Sequence, residues 1–280
     1  MKVLKRGISI LISFCLVFSL MVTAHCDSFD GQQISLQGTQ IEYLISVGVP
    51  QSYLERRTPD EISFLFELAQ THTLQHFSVS TSYCENDYAT FGTIPTSDMT
   101  FTVDCVAAFS LSLPNQPSRL DCVAVTIDYR WHSGHPLVRF EDAITVEWDS
   151  TLFQFNGDAF NSVDYHHMGS GAAPVNRQFR PAKLSQGGLG YYANLFNTST
   201  NPVLYSGSAS FLLDARENMY ATSEYPSNMK RSLVTAEYTH NKNPLGIGLS
   251  FSDNGFNISV APGALQDSAG ASCPITYSVP

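Results

Sequence analysis

Apolar and polar positions alternate strictly along the middle of the chain. From Phe101 to Leu113 the odd positions are apolar, and from Val123 to Trp131 they are apolar again. A period of two places successive side chains on opposite faces of a strand, so both stretches are predicted as half-buried β-strands, 101–113 and 120–131. The segment from Pro114 to Ser118, with two prolines, is the predicted connection. A third strand is expected from Leu137 to Trp148. There Val138, Phe140, Ile144, Val146 and Trp148 share one face, while Arg139, Glu141, Thr145 and Glu147 share the other. Further strands are expected over 151–156, 160–166, 188–196, 208–214, 217–223 and 231–240. Gly169–Pro174 and Gln186–Gly190 read as loops.

Ile247, Leu249 and Phe251 lead into Asn254-Gly255, and Phe256, Ile258 and Val260 lead out. A two-residue Asn-Gly loop predicts a hairpin with Phe251 opposite Ile258 and Leu249 opposite Val260. Upstream the period is helical instead. Ile41, Leu44 and Ile45 are followed by a Gly48-Val49-Pro50 break. A helix then starts at Thr58, with Pro59 at its first position, Glu61 in capping-box register, and Ile62, Leu65, Phe66 and Ala69 as its apolar stripe.

Short alternating strands without a βαβ rhythm predict an all-β fold, an antiparallel, jelly-roll-like β-sandwich preceded by a short helical segment. The expected organisation is a signal peptide over 1–26, a helical segment over 27–75 and the sandwich over 76–280. Lys2, Lys5 and Arg6, the apolar run from Ile8 to Val22, and small residues at Thr23 and Ala24 have the three parts of a secretion signal. Three readings of its end stay open: cleavage after Ala24, cleavage after Cys26, or lipidation of Cys26. The run is short for a bilayer span, which takes roughly 20 residues. The mature chain is therefore expected to have no transmembrane segment and to be secreted or held at the cell surface.

Composition supports this reading. Charged residues make up only 14% of a chain that is 43% hydrophobic, the balance of a strand-rich extracellular domain. Loss of the signal removes three bases and no acid, taking the formal charge from −10 to −13. An acidic chain without a basic run has no footprint for a phosphate backbone, so no nucleic-acid partner is expected. Cysteines 84, 105, 122 and 273 remain. Alternation sends Cys105 to the core and Cys122 to the opposite, more polar face, so a bridge between these two is disfavoured. Cys84–Cys273 stays open as a pair.

Candidate chemistry centres on Asp142, which alternation places on the apolar face between Phe140 and Ile144. A carboxylate there must be paired or neutral. It reads either as a tuned acid or metal ligand, or as a buried acceptor for backbone amides or hydroxyls. His240 ends the apolar series Val234, Ala236, Tyr238 and is a second catalytic candidate or a packing residue. His132 and His135 flank a Ser-Gly tip. They are a metal-site alternative, although neither the closely spaced cysteines nor the helical His-Glu-x-x-His arrangement of common zinc sites accompanies them. Thirteen Tyr and eighteen Phe raise sugar binding, with Trp131, Tyr191 and Tyr192 as candidate platforms. Glu141, Asp142, Glu147 and Asp149 supply carboxylates for glycoside chemistry, but spacing along a strand selects no pair. No cofactor is expected.

Gly48-Val49-Pro50-Gln51-Ser52-Tyr53-Leu54, followed by Thr58-Pro59-Asp60-Glu61, resembles the G-x-P-x-x-x-L helical motif of uncharacterised secreted all-β proteins of Gram-positive bacteria. The Trp131…Pro136…Asp142-Ala143-Ile144…Trp148 run and Tyr238-Thr239-His240 are similar to their β part. The resemblance implies export and a β-sandwich, and brings no activity. The function expected is binding to an extracellular partner rather than catalysis, with a carbohydrate-binding or carbohydrate-active protein as the alternative.

Overall fold

The computed structural model describes residues 29–80, 92–111, 116–132, 136, 140–167, 175–178, 183–194, 204–216, 218–242, 247–252, 255–260 and 266–280. The expected signal peptide, Cys84, His135, the Gly169–Pro174 loop and Asn254 lie outside the described residues.

Three helices come first: α1 (Phe29–Ser46), α2 (Gln51–Leu54) and α3 (Pro59–Ala69). The Gly-x-Pro break between α1 and α2 has a definite geometry. Gly48 takes φ +98, a left-handed conformation that glycine adopts without steric cost. Its N–H donates to the Ile45 carbonyl at 3.0 Å, and the Val49 N–H donates to that of Leu44 at 3.0 Å. This is a Schellman ending, completed by burial of both Leu44 and Val49. Pro50 then caps α2. At α3 the capping box forms as the sequence predicts: Glu61 N donates to Thr58 Oγ1 at 3.3 Å, and Thr58 N donates to Glu61 Oε2 at 2.7 Å.

The strands follow as β1 (His72–Ser80), β2 (Gly92–Thr93), β3 (Met99–Ser110), β4 (Leu120–Trp131), β5 (Glu141–Trp148), β6 (Phe153–His167), β7 (Val175–Gln178), β8 (Lys183–Ser185), β9 (Gly188–Asn194), β10 (Leu204–Ala215), β11 (Met229–Asn241), β12 (Ile247–Ser252), β13 (Gly255–Val260) and β14 (Gln266–Ser278). Two six-stranded sheets, β1-β3-β4-β10-β6-β7 and β2-β14-β11-β5-β9-β8, form the sandwich, and β12–β13 pair as a separate hairpin. Among the described residues, pairing between strands is antiparallel except between β14 and β2. The fold is therefore the antiparallel β-sandwich that the alternation predicts, preceded by helices. Between the sheets lie the odd-numbered side chains of β3 and β4, facing Ile144, Val146, Val234, Ala236 and Tyr238. Among the described residues no helix is long and apolar enough to cross a membrane.

Several elements differ from expectation, each for a local reason. The predicted strands 151–156 and 160–166 are one strand, β6, continued through a bulge at Gly157, whose φ is +95. Of the expected strand 217–223, the described residues 218–223 form none. Asn218 sits at φ 72 and interrupts the extended run, leaving Tyr220 with isolated bridges to Arg119 and Ser278. The β12–β13 register is Phe251↔Phe256 and Leu249↔Ile258 instead of Phe251 opposite Ile258 and Leu249 opposite Val260, and Gly255 pairs with Ser252 as the first residue of β13. A shift of two keeps every side chain on its face, so alternation is blind to it. β14 was not predicted: its inward residues include Ala269, Ala271 and Cys273, and Gly270 and Pro274 interrupt the pattern. Pro274 pairs with Leu233 of β11 in a strand whose other side is joined at Asp267, Ser268 and Ser278 but not at Pro274 among the described residues. A missing N–H is tolerated at such an edge.

The face of β3 and β4 that reads as the more polar one is also buried. Leu44, Tyr53, Leu54, Ile62 and Leu65 of the helices cover Val106, Ala108, Cys122 and Ala124. Burial pushes the Cys122 thiol up to about 12 and leaves it unreactive. The carboxylates on the same face must find cations. Arg56 donates to Asp104 at 2.9 Å and to Asp128 at 2.7 Å. Arg57, fully buried, pairs with Asp128, donates to Ser208 at 3.3 Å, and lies 4.7 Å over the Tyr53 ring. Ser210 donates to Glu61, and His76 Nε2 meets Asp104 at 3.0 Å. This clamp fastens the helical segment to the sheet.

Two predictions follow from the clamp. Arg57→Met removes the buried cation while keeping its stem, and is expected to cost about 3 kcal/mol in urea unfolding. Arg56→Met, at the exposed rim, should cost much less. Burial raises the Asp104 carboxyl, but His76, Arg56 and Ser78 more than offset this, so it titrates below its ordinary value. Folded Asp104 therefore binds fewer protons than unfolded Asp104. Its contribution to stability is present above about pH 4 and is lost as pH falls through the depressed folded value. Urea midpoints between about pH 6 and pH 3 should fall less steeply for Asp104→Asn than for the parent chain.

Candidate functional site

One end of the sandwich collects the start of β5 and the ends of β4 and β11, and there Trp131, Asp142, Tyr238 and His240 meet. Asp142 points between the sheets because β5 keeps the alternation that buries Ile144 and Val146. β11 pairs with β5 in the register Tyr238↔Ile144 and Thr239↔Ala143, which brings the end of β11 beside the Asp142 carboxyl. The Tyr238 hydroxyl donates to Asp142 Oδ2 at 2.5 Å, and the Asn241 N–H donates to Oδ1 at 2.9 Å. His240 Nδ1 lies 3.0 and 2.9 Å from the two oxygens. A carboxylate so placed holds the imidazole proton on Nδ1. Trp131 Nε1 donates to the Tyr238 hydroxyl at 3.1 Å, which orients that hydroxyl toward Asp142. The Trp131 and His240 rings meet edge to face at 5.0 Å.

The cluster is closed. Asp142 is 0% exposed, Trp131 3% and His240 4%. Burial pushes the Asp142 carboxyl up, against the pull of His240, Tyr238 and the Asn241 amide toward the ionised form. Chemically, the arrangement ties β5 to β11 through one acceptor with three kinds of donor, and β4 joins it through the Trp131 bond to the Tyr238 hydroxyl. An Asp–His pair also has the form of a general-base unit, but a base must reach its substrate, and this imidazole is shut between Trp131 and Asp142.

The other candidates are dispersed. Tyr191, on β9, faces the core and is 0% exposed, so it offers no ring face to a sugar, and Trp131 is similarly enclosed. Tyr192 lies on the opposite face of the same strand and is half-buried. His132 Nδ1 donates to the Ser97 carbonyl at 2.6 Å, and its Nε2 accepts from the Thr100 hydroxyl at 3.0 Å. Both ring nitrogens are occupied, leaving no lone pair for a metal. Among the described residues no group of three His, Cys, Asp or Glu is placed to hold one. The carboxylates of β5 and its turn also separate. Asp142 points inward, Glu141 and Glu147 lie on the outer face, and Asp149 accepts from the Thr151 amide and hydroxyl at 2.8 and 2.6 Å. None faces another across a cleft, as glycoside hydrolysis requires.

Sequence reasoning missed Tyr238, the donor that links Trp131 to Asp142. It also missed the Arg56-Arg57 clamp, whose available signal was an Arg pair immediately before a capping box.

No family model and no curated protein matches the sequence. The resemblance carried by the Gly48–Leu54 motif, Thr58–Glu61, the Trp131…Trp148 run and Tyr238-Thr239-His240 therefore rests on those residues alone. Among solved structures, the chain is similar to the KRT10-binding region domain of the pneumococcal serine rich repeat protein PsrP, at 11% identity and a TM-score of 0.27, covering 68% of this chain and 99% of that one. It is also similar to the N-terminal domain of the Streptococcus gordonii adhesin Sgo0707, at 8% identity and a TM-score of 0.12, covering 74% and 73%. Superpositions this loose carry no argument about activity.

Asp142→Asn keeps the shape and removes the charge that three donors address. It is expected to cost about 2 kcal/mol and to lower Tm by roughly 5 °C, measured by calorimetry. Tyr238→Phe, which strips one donor and leaves the Trp131 N–H without its acceptor, should cost about half as much.

Proposed function

We propose that the chain is an exported recognition protein, secreted or held at the cell surface, in which the sandwich is a rigid scaffold and the connections beside Trp131, Asp142 and His240 contact an extracellular partner or glycan. The observation that carries this reading is the inequality of the two ends. At the Asp142 end, β1 and β6 finish and β2, β3, β10 and β14 begin beside the ends of β4 and β11. The connecting stretches 81–91, 132–140, 195–203, 242–246 and 261–265 are therefore all rooted there. The opposite end, where 149–152 and 216–228 connect strands, is tied down by backbone hydrogen bonds, such as Leu120 N to the Met219 carbonyl at 2.9 Å and Ser278 N to that of Tyr220 at 2.8 Å. Binding residues concentrate on connections held by a rigid frame.

Composition points the same way. Stretch 81–91 carries Tyr83, Asn86, Tyr88 and Phe91, and stretch 195–203 carries Asn197, Ser199 and Asn201. Aromatic rings paired with adaptable amides and hydroxyls make up binding loops elsewhere. The enclosed Asp142–His240 pair holds the roots of two of these connections in fixed relation, and so supports binding without chemistry.

The test is a glycan array and a panel of chromogenic glycosides, run with the full chain and with Tyr83→Ala/Tyr88→Ala and Asp142→Asn variants. Saturable binding without turnover is expected. The double Tyr variant should lose it at unchanged Tm, and Asp142→Asn should lose Tm while its folded fraction still binds. Glycoside turnover that disappears in Asp142→Asn would overturn the binding reading in favour of a carbohydrate-active enzyme.

A further inference from the structure

Cys105 and Cys273 come from opposite sheets. Cys105 is central in β3, where it pairs with Val125 of β4 and Phe77 of β1. Cys273 lies in β14, paired with Val234 of β11. Both are 0% exposed free thiols, both belong to the core between the sheets, and they lie close enough to act on each other. Cys122 is separated from them by the whole thickness of the first sheet, because it faces the helices. Alternation turns both side chains inward, and the packing of β14 against β3 across the core brings the two sulfurs together.

We propose that Cys105 and Cys273 are joined as an inter-sheet disulfide when the chain folds in an oxidising compartment. The export reading supplies only the place; the pairing stands on the fold. The step requires a disulfide oxidant, either a small-molecule disulfide or the reactive disulfide of a thiol–disulfide oxidoreductase. The thiolate of one cysteine attacks a sulfur of the oxidant, forming a mixed disulfide and expelling one thiolate. The second cysteine, deprotonated, then attacks the first cysteine's sulfur in that mixed disulfide and expels the other. Two electrons pass to the oxidant, which leaves as two thiols, and the two cysteines lose their two hydrogens.

Timing follows from burial. Once the sandwich is closed, desolvation holds the Cys105 thiol protonated and no oxidant reaches it. The bond must therefore form while β14 is docking onto the β3 side of the core. It then fixes a strand that has a full-length partner on one side only, and it closes the long loop between the first hairpin and β14, where cross-linking restrains the unfolded chain most.

The experiment refolds the full chain from denaturant in a glutathione redox buffer at about pH 8, near the ordinary thiol pKa. Free thiols are alkylated in denaturant, and the protein is digested without reductant for peptide mass spectrometry. The expected result is a Cys105–Cys273 linked pair with Cys122 alkylated, together with a Tm roughly 10 °C above that of the reduced protein. Cys122→Ala should keep that difference, and Cys273→Ala should abolish it. If Cys273→Ala fails to fold, the parent-chain map decides alone. Alkylated Cys105 and Cys273 in correctly refolded protein, or Cys273 linked to Cys84, overturns the proposal without touching the binding reading, which rests on the strand ends.

Discussion

Burying both faces of the β3–β4 hairpin is the constraint from which most of the structure follows. One face meets the second sheet and the other meets the helices, so every polar group along the pair must be satisfied inside the protein. Asp104 and Asp128 lie on the helix-covered face, and a carboxylate without a cation there would cost more than the helices gain by packing. Arg56 and Arg57 are the answer, and they explain why α2 is a single turn. The chain must leave α2 at Leu54 to present both guanidinium groups to the sheet, then restart at Thr58 with a capping box whose Glu61 also accepts from Ser210. The helical segment is thus keyed to the sheet by charge as well as by apolar area.

The second buried carboxylate obeys the same rule by different means. Asp142 has no arginine; a hydroxyl, a backbone amide and an imidazole share the work. These compact donors suit a position between the sheets, where a guanidinium would displace core volume. The result fixes the geometry of strand ends at the end proposed for recognition, so the two polar clusters divide the molecule: one secures the helices at the side, the other holds the rim.

Much of this was legible in the sequence, and the reasons for the rest are physical. Period-two alternation revealed β3, β4 and β11 because their apolar residues are large. It missed β14, where Ala269 and Ala271 carry the inward face with little hydrophobic signal. Alternation found the face of Asp142 correctly, yet its partners sit on β11, and which strands become neighbours is a tertiary outcome absent from local pattern. The capping box at Thr58 and the glycine at the end of α1 were readable because caps are local chemistry. The clamp was not, because Arg56 and Arg57 meet acids that lie on strands far along the chain. The apparent polarity of the Cys122 face misled for a related reason: a few paired carboxylates make a buried surface resemble a wet one.

The small inward residues of β14 have a kinetic side. Its neighbours in the core include β3 and β11, so the inner layer stays incomplete until nearly all of the intervening chain has been made and arranged. Such non-local closure is slow relative to the local formation of the β3–β4 hairpin or the β12–β13 hairpin. In the interval Phe101, Val103 and Tyr238 remain open to water and to other chains. A polypeptide with this topology passes through its most adhesive state before the sandwich closes, and its acidic surface is what keeps copies apart during that delay.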